Sequence, residues 1–113
     1  MNGNNLPKEE TLDIINEIES NSSLNQRTLS RKLNISLGKT NYLLRELAKK
    51  GFVKIASFSK NPKKARKLQY ILTPKGIREK VKLTYHFLQV KEHQYNKLKK
   101  EYQNYISALK RHV

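Results

Sequence analysis

The sequence contains no cysteine, which excludes disulfide bonds and thiolate zinc sites. It also has no apolar run near the ~20 residues that a membrane-spanning helix needs. The first ten residues, MNGNNLPKEE, lack the charged-then-apolar pattern of a secretion signal. We therefore expect a cytoplasmic protein with no membrane partner.

Signatures of catalysis are missing as well. We find no nucleophile elbow, no phosphate-binding loop and no paired carboxylates in an apolar setting. His86 and His93 lie two helical turns apart, His112 is near the end of the chain, and no cysteine or carboxylate cluster joins them as metal ligands. Four glutamates on a polar helix face are most simply solvated: Glu9, Glu10, Glu17 and Glu19. The sequence predicts no enzyme, no metal site and no cofactor.

Acidic residues are scarce, with 9 Asp and Glu against 24 Lys and Arg, a formal net charge of +15. The charge is unevenly distributed. Residues 1–24 carry one lysine and five acids, residues 25–74 carry 13 basic residues and one acid, and residues 75–113 carry ten basic residues and three acids. A lysine-rich proteome would load every surface alike, so the acidic first segment favours a polyanionic partner instead.

The segment from Leu24 to Val53 has the pattern of a helix-turn-helix. A first helix begins near Pro7, with Leu12, Ile14, Ile15 and Ile18 toward the core, and ends at residues 21–23. Asn25 is a candidate N-cap for the second helix, which buries Leu29 and Leu33. Asn34 suits a left-handed turn, and Ile35 fills the corner. Ser36 caps the third helix, which buries Thr40, Leu43 or Leu44, and Leu47, and stops at Gly51.

A basic hairpin follows this unit. Residues 52–58 and 67–73 have the composition of two strands, and Asn61-Pro62 marks a turn between them. Thr73 then caps a last helix that has Pro74 in its first turn.

The last helix has no proline or glycine after Gly76, so it should continue for about 38 residues, ~57 Å. Its apolar positions, with Lys91 as a gap, alternate by four and three residues, which is the heptad pattern of paired helices. The alternative, two shorter helices folded back on each other, has no turn signal. The candidate dimer interface is Val81, Leu88, Tyr95, Leu98, Tyr102, Tyr105 and Leu109.

The candidate DNA contacts fall into three groups. On the recognition helix, residues 36–50, they are Ser36, Leu37, Gly38, Lys39, Asn41, Tyr42 and Arg45, which can contact guanine, adenine or phosphate. At the start and outer face of the second helix they are the phosphate contacts Asn25, Gln26, Arg27 and Arg31. On the wing, residues 58–67, they are Lys60, Lys63, Lys64, Arg66 and Lys67, for the minor groove or the backbone. Each group has an alternative interpretation as a plain solvated surface.

These motifs resemble those of winged-helix regulators of the MarR type. The resemblance rests on Ile35-Ser36-Leu37-Gly38-Lys39 leading to Tyr42-Leu43-Leu44, on Lys50-Gly51-Phe52-Val53 and on the segment from Tyr70 to Ile77. It is closest to the short subgroup associated with exopolysaccharide gene clusters. The resemblance implies a dimeric prokaryotic transcription factor with its third helix in the major groove. Only one long C-terminal helix is present, which gives no basis for a small-molecule effector.

The sequence thus predicts a mainly α protein with a small β-hairpin. Residues 7–74 form a winged helix-turn-helix, and residues 75–113 form a dimerisation helix. The expected function is sequence-specific binding of double-stranded DNA by a homodimer, in the cytoplasm on the nucleoid. Two alternatives stay open. One is a winged-helix adaptor for proteins, and the other is a protein that coats the chromosome without sequence preference.

Overall fold

The computed structural model describes residues 6–21, 24–58 and 67–112, with the side chains of residues 57, 58, 67 and 68 left out. Four helices and two strands follow in chain order: α1 Lys8–Ser20, α2 Gln26–Leu33, α3 Leu37–Lys49, β1 Val53–Phe58, β2 Lys67–Leu72 and α4 Pro74–Arg111. The chain divides into two units, Met1–Leu83 and Thr84–Val113. The predicted domain boundary at residues 74/75 stays a prediction.

Local capping signals set the ends of α2 and α3, as the sequence predicts. Oδ1 of Asn25 accepts a hydrogen bond from the backbone N–H of Thr28 at 2.7 Å, and Oγ of Ser36 accepts one from Lys39 at 3.0 Å. Asn34 follows α2 in the left-handed region, with φ 54°. Each cap satisfies an N–H that has no partner inside its own helix, so the two helices begin at defined residues.

The core of the first unit lies between α1, α2, α3 and the hairpin. On α3, both Leu43 and Leu44 are buried, together with Leu47 and Thr40. On α1, the buried positions include Thr11, whereas Leu12 is only partly buried. The other buried hydrophobic side chains of the cluster are Ile14, Ile18, Leu24, Leu29, Val53 and Tyr70. This core leaves one face of α3 to solvent.

The hairpin is an antiparallel pair in which Val53 lies opposite Leu72 and Ile55 opposite Tyr70. Thr73 joins it to α4. Its Oγ1 accepts a hydrogen bond from the backbone N–H of Gly76 at 3.0 Å and donates to the backbone carbonyls of Gly51 and Phe52, just before β1. A Cβ on Gly76 would overlap the carbonyl oxygen of Phe52. The close approach of α4 to this turn therefore requires glycine at position 76.

The second unit is the remainder of α4, which runs without a break to Arg111. In the single chain its large apolar side chains are exposed: Tyr85, Leu88, Tyr95, Leu98, Tyr102, Tyr105 and Leu109. In the part of the chain that the structure describes, no helix has a stretch long and apolar enough to cross a membrane.

Candidate nucleic-acid interface

The solvent-facing side of α3 is the centre of the candidate interface. Residues spaced by four, three and four positions lie along one side of a helix. This spacing is found at Gly38, Tyr42, Arg45 and Lys49, which form a stripe on the side of α3 opposite its buried residues. Tyr42 is 46% exposed, and the side chain of Lys49 is 74% exposed. A helix with this stripe can present aromatic and basic groups to a groove.

The sequence prediction omitted Lys49. Its Nζ lies 3.3 Å from Oε1 of Glu46, an exposed pair one turn away, so its ammonium is still at the surface. The spacing from Tyr42 and Arg45 was the signal that could have placed Lys49 on the same stripe.

Leu37 and Gly38 lie at the N-terminal tip of α3. The Leu37 side chain is 42% exposed although it is apolar. A Cβ added to Gly38 would have no atom within 4 Å. Nothing inside the described chain therefore requires glycine at position 38, in contrast to position 76.

Lys39 and Asn41 lie on opposite flanks of α3, and each is engaged by a neighbouring helix. Nζ of Lys39 lies 2.9 Å from both carboxylate oxygens of Glu10 on α1. Oδ1 of Asn41 accepts a hydrogen bond from Nε2 of Gln26 at 3.1 Å, and the same Gln26 nitrogen lies 3.3 Å from the hydroxyl of Tyr70. The sequence placed both residues toward the groove but did not predict these partners.

Two of the predicted phosphate contacts, Arg27 and Arg31 on α2, line an open groove. Its volume is about 410 Å³, and its lining is Arg27, Ser30, Arg31 and Leu37. Two guanidinium groups beside a polar concavity suit a phosphate oxygen, because arginine presents several N–H donors in a fixed fork. Asn25 and Gln26 already use side-chain atoms within the fold, and Asn25 keeps its amide N–H groups for an external acceptor.

Acidic residues of α1 pair with lysines from three other helices. Besides the Glu10–Lys39 pair, Glu17 lies 3.2 Å from Lys32 on α2, and Glu19 lies 2.8 Å from Lys80 on α4. Three of the four glutamates interpreted from the sequence as solvated thus also form exposed ion pairs. Glu10 and Glu17 lie on one edge of the polar side of α1 and Glu19 lies on the other, and exposed pairs of this kind contribute only ~0–1 kcal/mol each.

The crowding of carboxylates on α1 also affects Asp13. Burial, followed by the charges of Glu9, Glu10 and Glu17, raises the pKa of Asp13 above its usual value. Both effects oppose the charged form of this carboxyl group.

The wing residues Lys60, Lys63, Lys64 and Arg66 lie outside the described residues, and Lys67 begins β2. Among the described residues, no three His, Cys, Asp or Glu side chains come together as metal ligands.

Comparison with known proteins gives a family match and a shared fold. Residues 11–54 match the model of the winged helix-turn-helix DNA-binding family. No curated protein matches the chain in sequence.

Solved structures with a similar fold include proteins described as transcription regulators. The PcaV regulator of Streptomyces coelicolor, solved with its natural ligand, superposes with a TM-score of 0.61 at 17% identity over 73% of this chain and 56% of that one. MepR of S. aureus, in a complex with DNA, superposes with a TM-score of 0.58 at 18% identity over 90% of this chain and 76% of that one. A MarR family transcription regulator superposes with a TM-score of 0.57 at 16% identity over 92% of this chain and 74% of that one.

This chain spans little more than half the length of PcaV. The predicted resemblance to the MarR type is confirmed for the fold, whereas the exopolysaccharide subgroup stays a prediction. Residues 11–54 are thus similar to the winged helix-turn-helix DNA-binding family, and the chain shares its fold with a MarR family transcription regulator.

Proposed function

We propose that this protein is a transcription regulator that binds double-stranded DNA as a homodimer, with α3 in the major groove and the wing on the minor groove or the backbone. The observation that carries the proposal is the solvent-facing stripe of α3, which holds an open glycine, an exposed tyrosine and two basic side chains. Its site of action would be the nucleoid in the cytoplasm, since that is where its ligand lies.

Charge supports a DNA ligand independently of the stripe. Residues 25–74 carry 13 basic residues and one acid. Among the residues of this segment that the structure describes, Lys32 and Lys39 pair with acids of α1. Lysine and arginine that contact phosphates release counterions, which drives binding. The groove between Arg27 and Arg31 suits such a contact and would fix the register of α3 on the duplex.

The exposed stripe of the second unit supports a homodimer. Each large apolar side chain left in water forgoes ~1.5–3 kcal/mol of burial, and a second copy would cover these side chains. A two-fold dimer would also present two recognition helices to a palindromic site. A chain truncated after Lys91 would then be largely monomeric by light scattering and would bind the palindrome much more weakly.

Selection from a pool of random duplex DNA tests the proposal. We expect enrichment of a palindrome. Binding without any enriched sequence would favour a chromosome-coating protein, and no binding at low salt would favour an adaptor for proteins.

Salt dependence tests the role of the basic residues. The logarithm of the binding constant should fall with the logarithm of salt concentration by roughly 0.9 per phosphate contacted. Replacing Lys63 and Lys64 with alanine should weaken binding to the selected site and to random DNA alike, with a smaller slope. A wing variant that instead changes the preferred sequence would contradict this division of roles.

A further inference from the structure

The second unit presents one continuous stripe, which we call the pairing stripe: Thr84, Leu88, Lys91, Tyr95, Leu98, Tyr102, Tyr105 and Leu109. All of these side chains are exposed in the single chain. Their spacing alternates four and three residues, so they follow one side of α4. Glu92 and Lys99 lie on the same flank of this stripe, immediately beside Lys91 and Leu98.

We propose that two copies pair through this stripe in an antiparallel arrangement, in one register. In that register Tyr95 faces the partner's Leu98, Leu88 faces the partner's Tyr105, and Thr84 faces the partner's Leu109. The inference rests on the homodimer proposed above and adds to it the direction and the alignment of the two helices.

Charge on the flank is the first argument for the register. In antiparallel helix pairs, positions on the same flank face each other. Glu92 then faces the partner's Lys99, and the two-fold axis creates this pair twice. Neither residue has an opposite charge three or four positions away in its own helix, whereas Glu101 has Lys97 four positions before it. Glu92 and Lys99 thus have complementary charges, and neither charge is compensated by a neighbour at helical spacing within the single helix.

Lys91 is the second argument. A parallel, aligned pair would set Lys91 against its own copy within the stripe. Like charges placed opposite each other destabilise a helix pair, so the parallel arrangement is disfavoured.

Lys91, the polar gap in the stripe, also fits the antiparallel register. There it faces the partner's Tyr102. A lysine stem can lie along an aromatic ring while its ammonium reaches water at the edge.

Neighbouring antiparallel registers fail on charge. A shift of one heptad in one direction places Glu92 opposite its own copy, and a shift in the other direction places Lys99 opposite its own copy. Only the proposed register makes the Glu92–Lys99 pair, and electrostatics therefore selects it.

Single cysteines test the direction, because the chain has none of its own. The variants Thr84→Cys and Leu109→Cys are oxidised separately and as an equimolar mixture. Disulfides need Cα atoms within ~7 Å, and two copies of position 84 would be ~37 Å apart along the antiparallel pair. We expect a disulfide-linked dimer in the mixture and almost none from either variant alone. Efficient crosslinking of Thr84→Cys with itself would overturn the proposal.

Charge reversal tests the register. Glu92→Lys or Lys99→Glu alone should weaken dimerisation about tenfold, whereas the double variant should restore it, since only facing charges compensate when both are exchanged. Lys100→Glu is the matched control, because it makes the same charge change on the outer side of the helix and should leave the dimer intact. Double-variant dimers as weak as the single-variant dimers would overturn the register.

Two further outcomes separate this inference from the proposed function. A chain that gives the mixed disulfide but binds no duplex DNA supports the antiparallel pair and overturns the DNA-binding proposal. A full chain that stays monomeric at tens of micromolar by light scattering overturns both the antiparallel pair and the proposed homodimer.

Discussion

Gln26 on α2 donates a hydrogen bond from Nε2 to Oδ1 of Asn41 on α3, at 3.1 Å. The two residues are fifteen positions apart in the chain, and Gln26 also reaches the hydroxyl of Tyr70 on β2. The candidate base-reading asparagine is therefore held by one helix of the motif and, through Gln26, tied to the hairpin. Its Oδ1 is engaged within the fold, so under the proposed function its amide N–H groups would contact the base.

We expect Asn41 and Gln26 to act as one unit in DNA recognition. Asn41→Ala should cost ~1–3 kcal/mol on the preferred site and relax one base position. Gln26→Ala should relax the same position, because it frees the Asn41 side chain to rotate. In a double-mutant cycle measured by binding anisotropy, the double variant should lose less affinity than the sum of the two single losses. Additive losses would show that the hydrogen bond does not matter for recognition.

The Glu10–Lys39 ion pair restrains a basic group of α3, the proposed recognition helix. Glu10→Gln should release the Lys39 ammonium, strengthen DNA binding and raise the salt slope by up to ~0.9, the value of one additional phosphate contact. Glu19→Gln is the matched control, because it removes the same charge but breaks an ion pair with Lys80 on α4, away from α3. Equal gains in the two variants would mean that the loss of negative charge alone accounts for the effect.

The two glycines at positions 38 and 76 should respond oppositely to alanine. Gly38→Ala fills open space in a helix and should raise the free energy of unfolding by up to ~1 kcal/mol, while DNA affinity falls. Gly76→Ala meets the Phe52 carbonyl and should lower the free energy of unfolding by ~1–3 kcal/mol. Urea unfolding and binding anisotropy measure the two effects. If Gly38→Ala binds DNA as well as the parent chain, the tip of α3 does not closely approach DNA.

Asp13 should make stability depend on pH in a defined direction. Its pKa is raised in the folded chain, so its charged form lowers stability near neutral pH, and this effect disappears as the pH falls through the raised pKa. Asp13→Asn should therefore be more stable than the parent chain at about pH 7, with a difference that shrinks toward pH 4. Urea unfolding at a series of pH values measures this difference. A difference that grows on acidification would mean that Asp13 is stabilising in its charged form.

The sequence by itself determined the local structure. The caps at Asn25, Ser36 and Thr73, the left-handed turn at Asn34 and the stop at Gly51 all lie where the sequence predicts them. These signals act within three or four residues, through hydrogen bonds and backbone preferences that need no distant partner. The unbroken length of α4 follows in the same way from the absence of proline and glycine after Gly76.

Only the tertiary structure decided how the candidate site residues are engaged. Periodicity separates the buried side of α3 from its exposed side, but the flanking positions depend on which helix packs beside them. The pairing of Lys39 with Glu10 and of Asn41 with Gln26 joins residues 29 and 15 positions apart. The difference between an open space at Gly38 and a carbonyl against Gly76 has the same origin. Contacts at such separations arise from the packing of whole elements around the core, and no local pattern in the sequence specifies them.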